Sequence, residues 1–252
     1  MSDTYAAGEP NITSRDGIFY ENLWRDARPA VVKDAKVNVD RWLELGKTLI
    51  PKEAELNHIL DVMAFKLQHA DVKINHGILH AGNESCGKTI FWKPFIWALC
   101  GPHRINAESF DASYWGHHLM SELVFLYGID DTLVSRIKSI LAAPPKYLEV
   151  HRLNCEPILA TNKMLVLALS NVKKPISLPE HDQNWFAVWS SAPKMDDKTA
   201  EQLVNWYMDE GYEAIAVWLY QRDVSTFDPF KMPMTTDFKK SLFLIQTDIE
   251  NE

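Results

Sequence analysis

The sequence has little cysteine, no long apolar run and no surplus of positive charge, and each absence argues against a class of protein. Its three cysteines are Cys86, Cys100 and Cys155. An odd number without C-x-x-C spacing argues against a disulfide framework or a zinc site. No apolar run reaches the roughly 18 residues of a membrane span, and the first residues lack the pattern of a signal peptide. We therefore expect a cytoplasmic protein that does not enter a membrane.

Charge and size set further limits. The chain has 252 residues, of which 46% are hydrophobic, and this content is enough for one sizeable core. The formal net charge is -8. Domains that coat themselves with nucleic acid usually carry a basic surface. Any contact with DNA is therefore expected at a local basic element.

A phosphate-loop motif is the clearest signal in the chain. The stretch "AGNESCGKTIFW", residues 81–92, fits the pattern G-x-x-x-x-G-K-[ST]. An apolar run that suits a strand precedes it, and the helical pattern that follows ends at Gly101 and Pro102. The alternative is a glycine-containing turn that matches by chance. The predicted nucleotide-binding residues are Gly82, Asn83, Glu84, Ser85, Cys86, Gly87, Lys88 and Thr89.

The motif has a direct physical interpretation. Its glycines let backbone N–H groups point at the phosphates of ATP, and the helix N-terminus adds positive potential. Lys88 is expected to reach the outer phosphates, and the hydroxyl of Thr89 is expected to bind Mg2+. The motif therefore predicts ATP and Mg2+ as ligands.

Periodicity divides the chain into four parts. Residues 1–34 are polar and turn-rich and are interpreted as an arm, whereas residues 35–73 have the spacing of a helical lobe. Residues 74–195 alternate short apolar runs with helices or loops, which indicates a P-loop ATPase core, and residues 196–252 return to helical spacing before the acidic end "TDIENE". The runs "GILHAG", "LVFLYG", "MLVLALSN" and "WFAVWS" are typical of buried parallel strands. The predicted fold is an α/β P-loop NTPase, AAA+-like, with a mostly parallel central sheet and an N-terminal helical lobe.

Hydrolysis needs acidic groups at the end of a second strand. "ELVFLYGIDD", residues 122–131, is the best candidate, and it offers Asp130 and Asp131 as catalytic carboxylates, with Asp130 joining Thr89 at the metal. The alternative is that both aspartates cap the next helix, where Asp is favoured. Glu122 is a weaker candidate because it lies at the other end of the strand.

A third strand ends in a polar residue. "MLVLALSN" places Asn171 after its last apolar residues, where an amide can orient the water that attacks a phosphate. The alternative is a simple turn former.

The order of these parts resembles superfamily three helicases, and most of all the helicase domain of phage and plasmid primase-helicases. The likeness is carried by "KINHGILHAGNESCGKTIFWKPFIWALCG", "LAAPPKYLEVHR", "MLVLALSN" and "PISLPEHDQNWFAVWSSAP", and it spans about residues 17–240. It implies a homo-oligomer such as a hexameric ring, ATP between subunits, and a hairpin that moves single-stranded or forked DNA. The lobe from Asp40 to Gln68 offers apolar faces for a collar between subunits.

The resemblance places the DNA-contacting hairpin at residues 146–164, "KYLEVHRLNCEPILATNKM". Its cations His151, Arg152 and Lys163 are the candidate phosphate contacts. The alternative is an exposed hairpin with ordinary solvated charges.

Two positions depart from the family pattern. Arginine fingers are expected where this chain has Gln183 and Asn184, and the acidic carboxylate is expected at Tyr127 and Gly128. A neutral amide cannot replace a guanidinium at a developing phosphoryl charge. Other cations nearby, such as Arg152, Lys173 or Lys174, are alternative sources of this charge in trans.

Two functions follow from these matches and departures. The first is an ATP-driven motor of phage or mobile-element DNA replication that acts with a separate primase or other replication partner. The second is a catalytically reduced homologue that regulates, decoys or inhibits a host protein. The intact phosphate loop favours the first, and the missing arginines favour the second.

Overall fold

The computed structural model describes residues 2–100, 119–152 and 154–244. Its strands are β1 (Ser2–Tyr5), β2 (Ile12–Arg15), β3 (Ile18–Asn22), β4 (Gly77–Gly82), β5 (Leu123–Tyr127), β6 (Tyr147–Val150), β7 (Ile158–Thr161), β8 (Leu165–Ser170) and β9 (Trp185–Ser190). Its helices are α1 (Asp40–Leu49), α2 (Glu53–Gln68), α3 (Lys88–Cys100), α4 (Asp131–Leu141), α5 (Asp197–Trp206), α6 (Tyr212–Gln221) and α7 (Asp237–Ser241). A π-helical turn, Tyr207–Gly211, joins α5 to α6.

The central sheet has four parallel strands in the order β5-β8-β4-β9. Ile78 in β4 pairs with Leu167 on one side and Phe186 on the other. The strands are almost entirely buried, as their continuous apolar runs require when helices cover both faces. The predicted α/β fold with a parallel central sheet is confirmed, and the four apolar runs are its four strands.

A second sheet of five strands, in the order β2-β3-β1-β7-β6, joins the first residues of the chain to the predicted hairpin. The hairpin itself is β6 and β7, paired antiparallel from Tyr147 opposite Thr161. β1 pairs in parallel with both β3 and β7. The interpretation of residues 1–34 as an arm therefore missed three strands, which are short and largely polar.

The tight turn between β2 and β3 shows which signal was overlooked. Asp16 and Gly17 form a two-residue turn in which both have positive φ, 50° and 79°. Asp-Gly is a preferred sequence for such a hairpin turn. The "RDG" in this segment is therefore the local sign of a hairpin.

The helical regions bury their apolar faces against the chain's own core. The indole of Trp42 in α1 donates a hydrogen bond to the carbonyl of Phe91 in α3 at 2.9 Å. All the apolar residues expected to line the helical lobe are buried, namely Trp42, Leu45, Leu49, Leu56, Ile59, Leu60, Met63 and Leu67. These residues belong to the same buried cluster as Leu203 and Leu219 of the C-terminal helices. The expectation that they form a collar between subunits is therefore corrected, although the four-part division of the chain stays a prediction.

Two predicted features, the helix stop at Gly101 and Pro102 and the acidic end of the chain, lie outside the described residues. Among the helices that the structure describes, none combines the length and apolar character needed to cross a membrane.

Candidate functional site

The phosphate loop connects β4 to α3, so it leaves the central sheet at the carboxyl ends of its strands. Ser85 and Gly87 have φ values of 55° and 105°, and Gly87 supplies a conformation that other residues rarely adopt. A Cβ atom at Gly82 would lie 2.6 Å from the carbonyl oxygen of Ser190, because β4 and β9 approach closely there. The glycines of the motif therefore have the two roles that the motif requires, a tight turn and close backbone approach.

The segment that follows β9 lies alongside the loop. The amide of Asn83 donates to the carbonyls of Ser191 and Ala192, both at 3.1 Å. The backbone N–H of Met195 donates to the carbonyl of Ser85 at 3.0 Å. These hydrogen bonds fix residues 191–195 against the phosphate loop.

Lys88 is held at the centre of the loop. Its ammonium donates to the carbonyls of Gly82 at 2.9 Å and Asn83 at 2.6 Å, and to the side-chain oxygen of Asn171 at 2.9 Å. Burial lowers the pKa of Lys88 below its ordinary value, while Cys86 and Glu84 act in the opposite direction. The site thus brings together Lys88 and Asn171, because β8 lies beside β4 and both strands end at the same edge of the sheet.

A buried network beneath the loop fixes the end of β4. Trp92 donates its indole N–H to Nδ1 of His80 at 2.9 Å, and Nε2 of His80 lies 2.7 Å from the hydroxyl of Ser190. Ser190 in turn donates to the carbonyl of Leu49 at 2.7 Å. Burial lowers the pKa of His80 to about 3, with Lys88 acting in the same direction. His80 is therefore neutral and ties β4 to α3, β9 and α1.

A cavity of about 830 Å³ opens over the loop. Its lining includes loop residues, the end of β5, the end of β8 and the start of α5. The polar and charged lining residues are Glu84, Ser85, Lys88, Thr89, Tyr127, Ser170, Asn171, Lys194 and Asp197. A second cavity of about 1320 Å³ lies between α1 and α5, and Cys86, Lys194 and Met195 line both cavities.

The predicted acidic strand does not deliver its aspartates to this cavity. Asp130 is the N-cap of α4, where its carboxylate accepts a hydrogen bond from the backbone N–H of Leu133 at 2.7 Å. Asp131 accepts from the backbone N–H of Ser177 at 2.6 Å. Neither lines the cavity, whereas Tyr127 and Gly128 do. Asp130 therefore caps α4, as the alternative predicts, whereas Asp131 lies in the first turn of α4 and binds the backbone of Ser177. The catalytic and metal-binding roles of Asp130 and Asp131 stay predictions, which this placement does not favour.

Glu122 lies at the opposite end of β5 and has a structural partner. Arg28 donates to both of its carboxylate oxygens, at 3.0 and 2.6 Å, and the indole of Trp24 donates at 3.0 Å. The side chains of Arg28 and Glu122 are each 7% exposed. This buried ion pair fastens the segment after β3 to the central sheet.

The residues present fit a magnesium ion only in part. Thr89 is exposed and lines the cavity, so its hydroxyl can bind a cation together with nucleotide phosphates and water. Glu84 and Asp197 are the carboxylates among the described lining residues. Within residues 2–100, 119–152 and 154–244, no group of three potential metal-binding side chains is found. The end of β5 therefore does not supply the carboxylate that the family pattern would place there.

Gln183 and Asn184 lie at the far edge of the central sheet from the phosphate loop. The carbonyl of Asn184 accepts a hydrogen bond from the N–H of Gly77 at 2.8 Å, at the amino ends of β4 and β9. Gln183 is exposed. A side chain here cannot reach the phosphate loop of its own chain, so a role in catalysis requires a neighbouring subunit.

The three cations of the hairpin differ in how free their side chains are to contact DNA. His151 is 73% exposed beside Glu149. Arg152 forms an ion pair with Asp3 at 3.1 Å. Lys163 is 8% exposed and donates to the carbonyl of Ala7 and the carboxylate of Glu9, at 3.1 and 2.9 Å. The expected DNA contact of Lys163 is therefore corrected, because its ammonium is already bound inside the protein.

Sequence reasoning missed Lys194, the second cation that lines the cavity. No motif marks it. Its only sequence signal is a position four residues after β9, a strand parallel to the one that carries the phosphate loop.

The parallel sheet, the loop at its carboxyl edge and the Lys88 cradle together define a P-loop-type α/β domain. Solved structures of the NrS-1 C-terminal region have the same fold. One, covering residues 305–718, matches with a TM-score of 0.73 and 16% identity over 96% of this chain and 60% of that one. Another matches with a TM-score of 0.74 and 17% identity over 95% of this chain and 59% of that one.

The chain therefore spans about 60% of the length of these structures. A structure of JCV helicase, bound to an acetamide compound, matches with a TM-score of 0.49 and 12% identity over 79% of this chain and 57% of that one. No family model matches the chain. No curated protein matches it in sequence.

Proposed function

We propose that the protein is an ATP-binding, helicase-like motor of phage or mobile-element DNA replication in which hydrolysis is weak. The observation that carries the proposal is the hydrogen bond between Lys88 and Asn171 within an intact phosphate loop. It joins the group that binds phosphate to the group that orients water, in a cavity large enough for a polyphosphate. A glycine-containing turn that matched the motif by chance would not be expected to place Lys88 and Asn171 in contact.

In this proposal the backbone of the loop, Lys88, Thr89 and Asn171 have separate roles. Backbone N–H groups of residues 83–89 and the N-terminus of α3 attract the phosphates, and Lys88 neutralises their charge. The hydroxyl of Thr89 would hold Mg2+, which would supply neutralisation of phosphate charge. Asn171 accepts a hydrogen bond from the attacking water and orients it.

We expect weak hydrolysis because the chain lacks groups whose contacts with the phosphates would strengthen in the transition state. Gln183 and Asn184 occupy the expected arginine-finger positions, and a trans arginine is worth on the order of a thousandfold or more in phosphoryl transfer. The end of β5 carries Tyr127 and Gly128 instead of a carboxylate. Binding is retained because it depends on ground-state contacts, whereas turnover depends on the contacts that are missing.

The proposal also includes assembly of subunits and contact with DNA. The fold shared with the NrS-1 structures supports a helicase-like role. A ring of subunits, for example six, would bring positions 183 and 184 of one subunit to the phosphate loop of the next. Single-stranded or forked DNA would meet His151 and Arg152 on the hairpin. The protein would act in the cytoplasm of a bacterial host with a separate primase or other replication partner.

A second candidate function is favoured by the placement of Asp130 and Asp131. Because Asp130 caps α4 and Asp131 binds the backbone of Ser177, the acidic strand has no described carboxylate at the phosphates. A homologue reduced in this way would bind nucleotide without useful turnover and act as a regulator, decoy or inhibitor of a host protein.

Steady-state ATPase activity with and without single-stranded DNA separates the two candidates. The motor is expected to bind ATP, to hydrolyse it slowly, and to turn over faster with DNA. Lys88→Ala should abolish both binding and turnover, whereas Lys36→Ala, an exposed lysine far from the loop in sequence, should change neither. Binding without turnover under any condition would support the reduced homologue. Equal ATP affinity for wild type and Lys88→Ala would contradict both.

A further inference from the structure

Lys194 is an exposed cation at the phosphate cavity that the proposed function does not use. Of the described residues that line this cavity, two carry a positive charge, Lys88 and Lys194. Lys88 is bound by three oxygens of the protein. Lys194 forms no hydrogen bond or ion pair with any residue in the described part of the chain.

The backbone around Lys194 is fixed even though its side chain is not engaged. Met195, the next residue, donates its N–H to the carbonyl of Ser85 in the loop. The amide of Asn83 holds the preceding Ser191 and Ala192. Residues on both sides of Lys194 are therefore bonded to the phosphate loop itself. Because its backbone is already fixed, Lys194 would lose only side-chain freedom on binding a ligand.

Lys194 lies where the two cavities meet. Together with Cys86 and Met195 it lines both the cavity over the loop and the larger one between α1 and α5. A polyphosphate seated on the loop would run toward this junction if the rest of the nucleotide occupies the larger cavity. The ammonium then lies beside the phosphate chain rather than at its buried end.

We propose that Lys194 is a second phosphate-binding cation, supplied by the same chain, at the junction of the two cavities. The proposal rests on the proposed binding of nucleotide and adds a residue to it. Lys194 neutralises phosphate charge from within the subunit, which positions 183 and 184 of this chain cannot do. Lys173 and Lys174 are exposed and do not line the cavity.

The test compares Lys194→Gln with Lys198→Gln, an exposed lysine four residues further on that lines neither cavity. Calorimetry measures the affinity of each variant and of the wild type for ATP with Mg2+, and for inorganic tripolyphosphate. Lys194→Gln should weaken both ligands by about tenfold, as loss of a charge-assisted hydrogen bond does. Lys198→Gln should match the wild type, and Lys194→Arg should retain most of the affinity.

Ionic strength and ligand choice provide further readouts. Because the ammonium is exposed, the difference between wild type and Lys194→Gln should shrink as salt rises. Weakening of ATP alone, with tripolyphosphate unaffected, would overturn a phosphate contact, as would equal losses in the Lys194 and Lys198 variants. Unchanged affinity in Lys194→Gln with normal binding by the wild type overturns this inference alone. No binding by the wild type overturns the proposed function as well.

Discussion

The side-chain oxygen of Asn171 accepts a hydrogen bond from the ammonium of Lys88 at 2.9 Å. The two residues are 83 positions apart in the chain, and they meet because β4 and β8 are parallel neighbours that end at the same edge of the sheet. An amide suits this position because it accepts from the lysine without adding charge next to the phosphates.

Replacement of Asn171 should separate binding from turnover. Asn171→Asp places a carboxylate beside Lys88 and the phosphates, and we expect ATP affinity to fall by about tenfold because like charges repel. Asn171→Ala should leave affinity within a few-fold and lower turnover by on the order of 10–100-fold, because the attacking water loses its orientation. Calorimetry and single-turnover hydrolysis measure the two effects. Val172→Ala, which changes an apolar lining residue, is the control.

Arginine at the finger positions should raise turnover. Gln183→Arg adds a guanidinium at an exposed position at the far edge of the sheet, where it faces a neighbouring subunit if the chain forms a ring. We expect a higher ATPase rate at concentrations where light scattering shows oligomers, and no gain where it shows monomers. Asn184→Arg and the double variant extend the series. A gain in the monomer would contradict action in trans.

Loss of Arg28 should destabilise the fold without touching the site. Arg28→Met leaves Glu122 buried without its cation, and we expect the free energy of unfolding to fall by about 3–5 kcal/mol. Urea denaturation measures the change. The double variant Arg28→Met with Glu122→Leu should recover much of the loss, since it removes the unpaired charge. Lys47→Ala breaks an exposed pair with Glu44 and should leave the free energy of unfolding nearly unchanged.

Stability should fall as pH drops from about 7.5 to 5, in part because of a histidine pair in which His76 is buried and His58 is half-buried. The Nε2 atoms of His58 and His76 lie 3.0 Å apart. Burial lowers the pKa of His58 to about 4 and the pKa of His76 well below its ordinary value, and Lys73 and Lys239 lower the latter further. The unfolded chain takes up protons near pH 6.5 that the folded chain does not, so acid favours unfolding.

His58→Phe tests this pH dependence. The replacement ring can pack beside Phe186 and Phe227, which already contact His58. Urea denaturation at several pH values should show a shallower loss of stability for this variant than for the wild type. His151→Gln, at an exposed position, should keep the wild-type slope. Equal slopes for wild type and His58→Phe would exclude the pair as a source of the dependence.

The central sheet and the loop could be predicted because their signals are local. β4, β5, β8 and β9 are continuous apolar runs, and the phosphate loop is a contiguous motif. The role of Asp130 could not be predicted, because a carboxylate after a strand can face a ligand or cap a helix, and only the exit direction of the chain decides. Lys163 is similar, since its partners Ala7 and Glu9 are more than 150 residues away in sequence.

Lys194 shows a different limit. Nothing in its neighbourhood distinguishes it from Lys198, and only the packing of residues 191–195 on the loop gives it a position at the cavity. The five-stranded sheet also depends on distant partners, since β1 pairs with β7, which lies more than 150 residues further along the chain. Apart from the Asp-Gly turn between β2 and β3, its short strands carry no local signal of this sheet.

The placement of β1 between β3 and β7 bears on how the hairpin can move. Parallel pairing with β7, together with the ion pairs of Asp3 with Arg152 and Glu9 with Lys163, ties the hairpin to the first residues of the chain. If the proposed motor moves this hairpin, the amino-terminal strands would have to move with it. The moving unit would then be the whole five-stranded sheet, which is stiffer than an isolated hairpin.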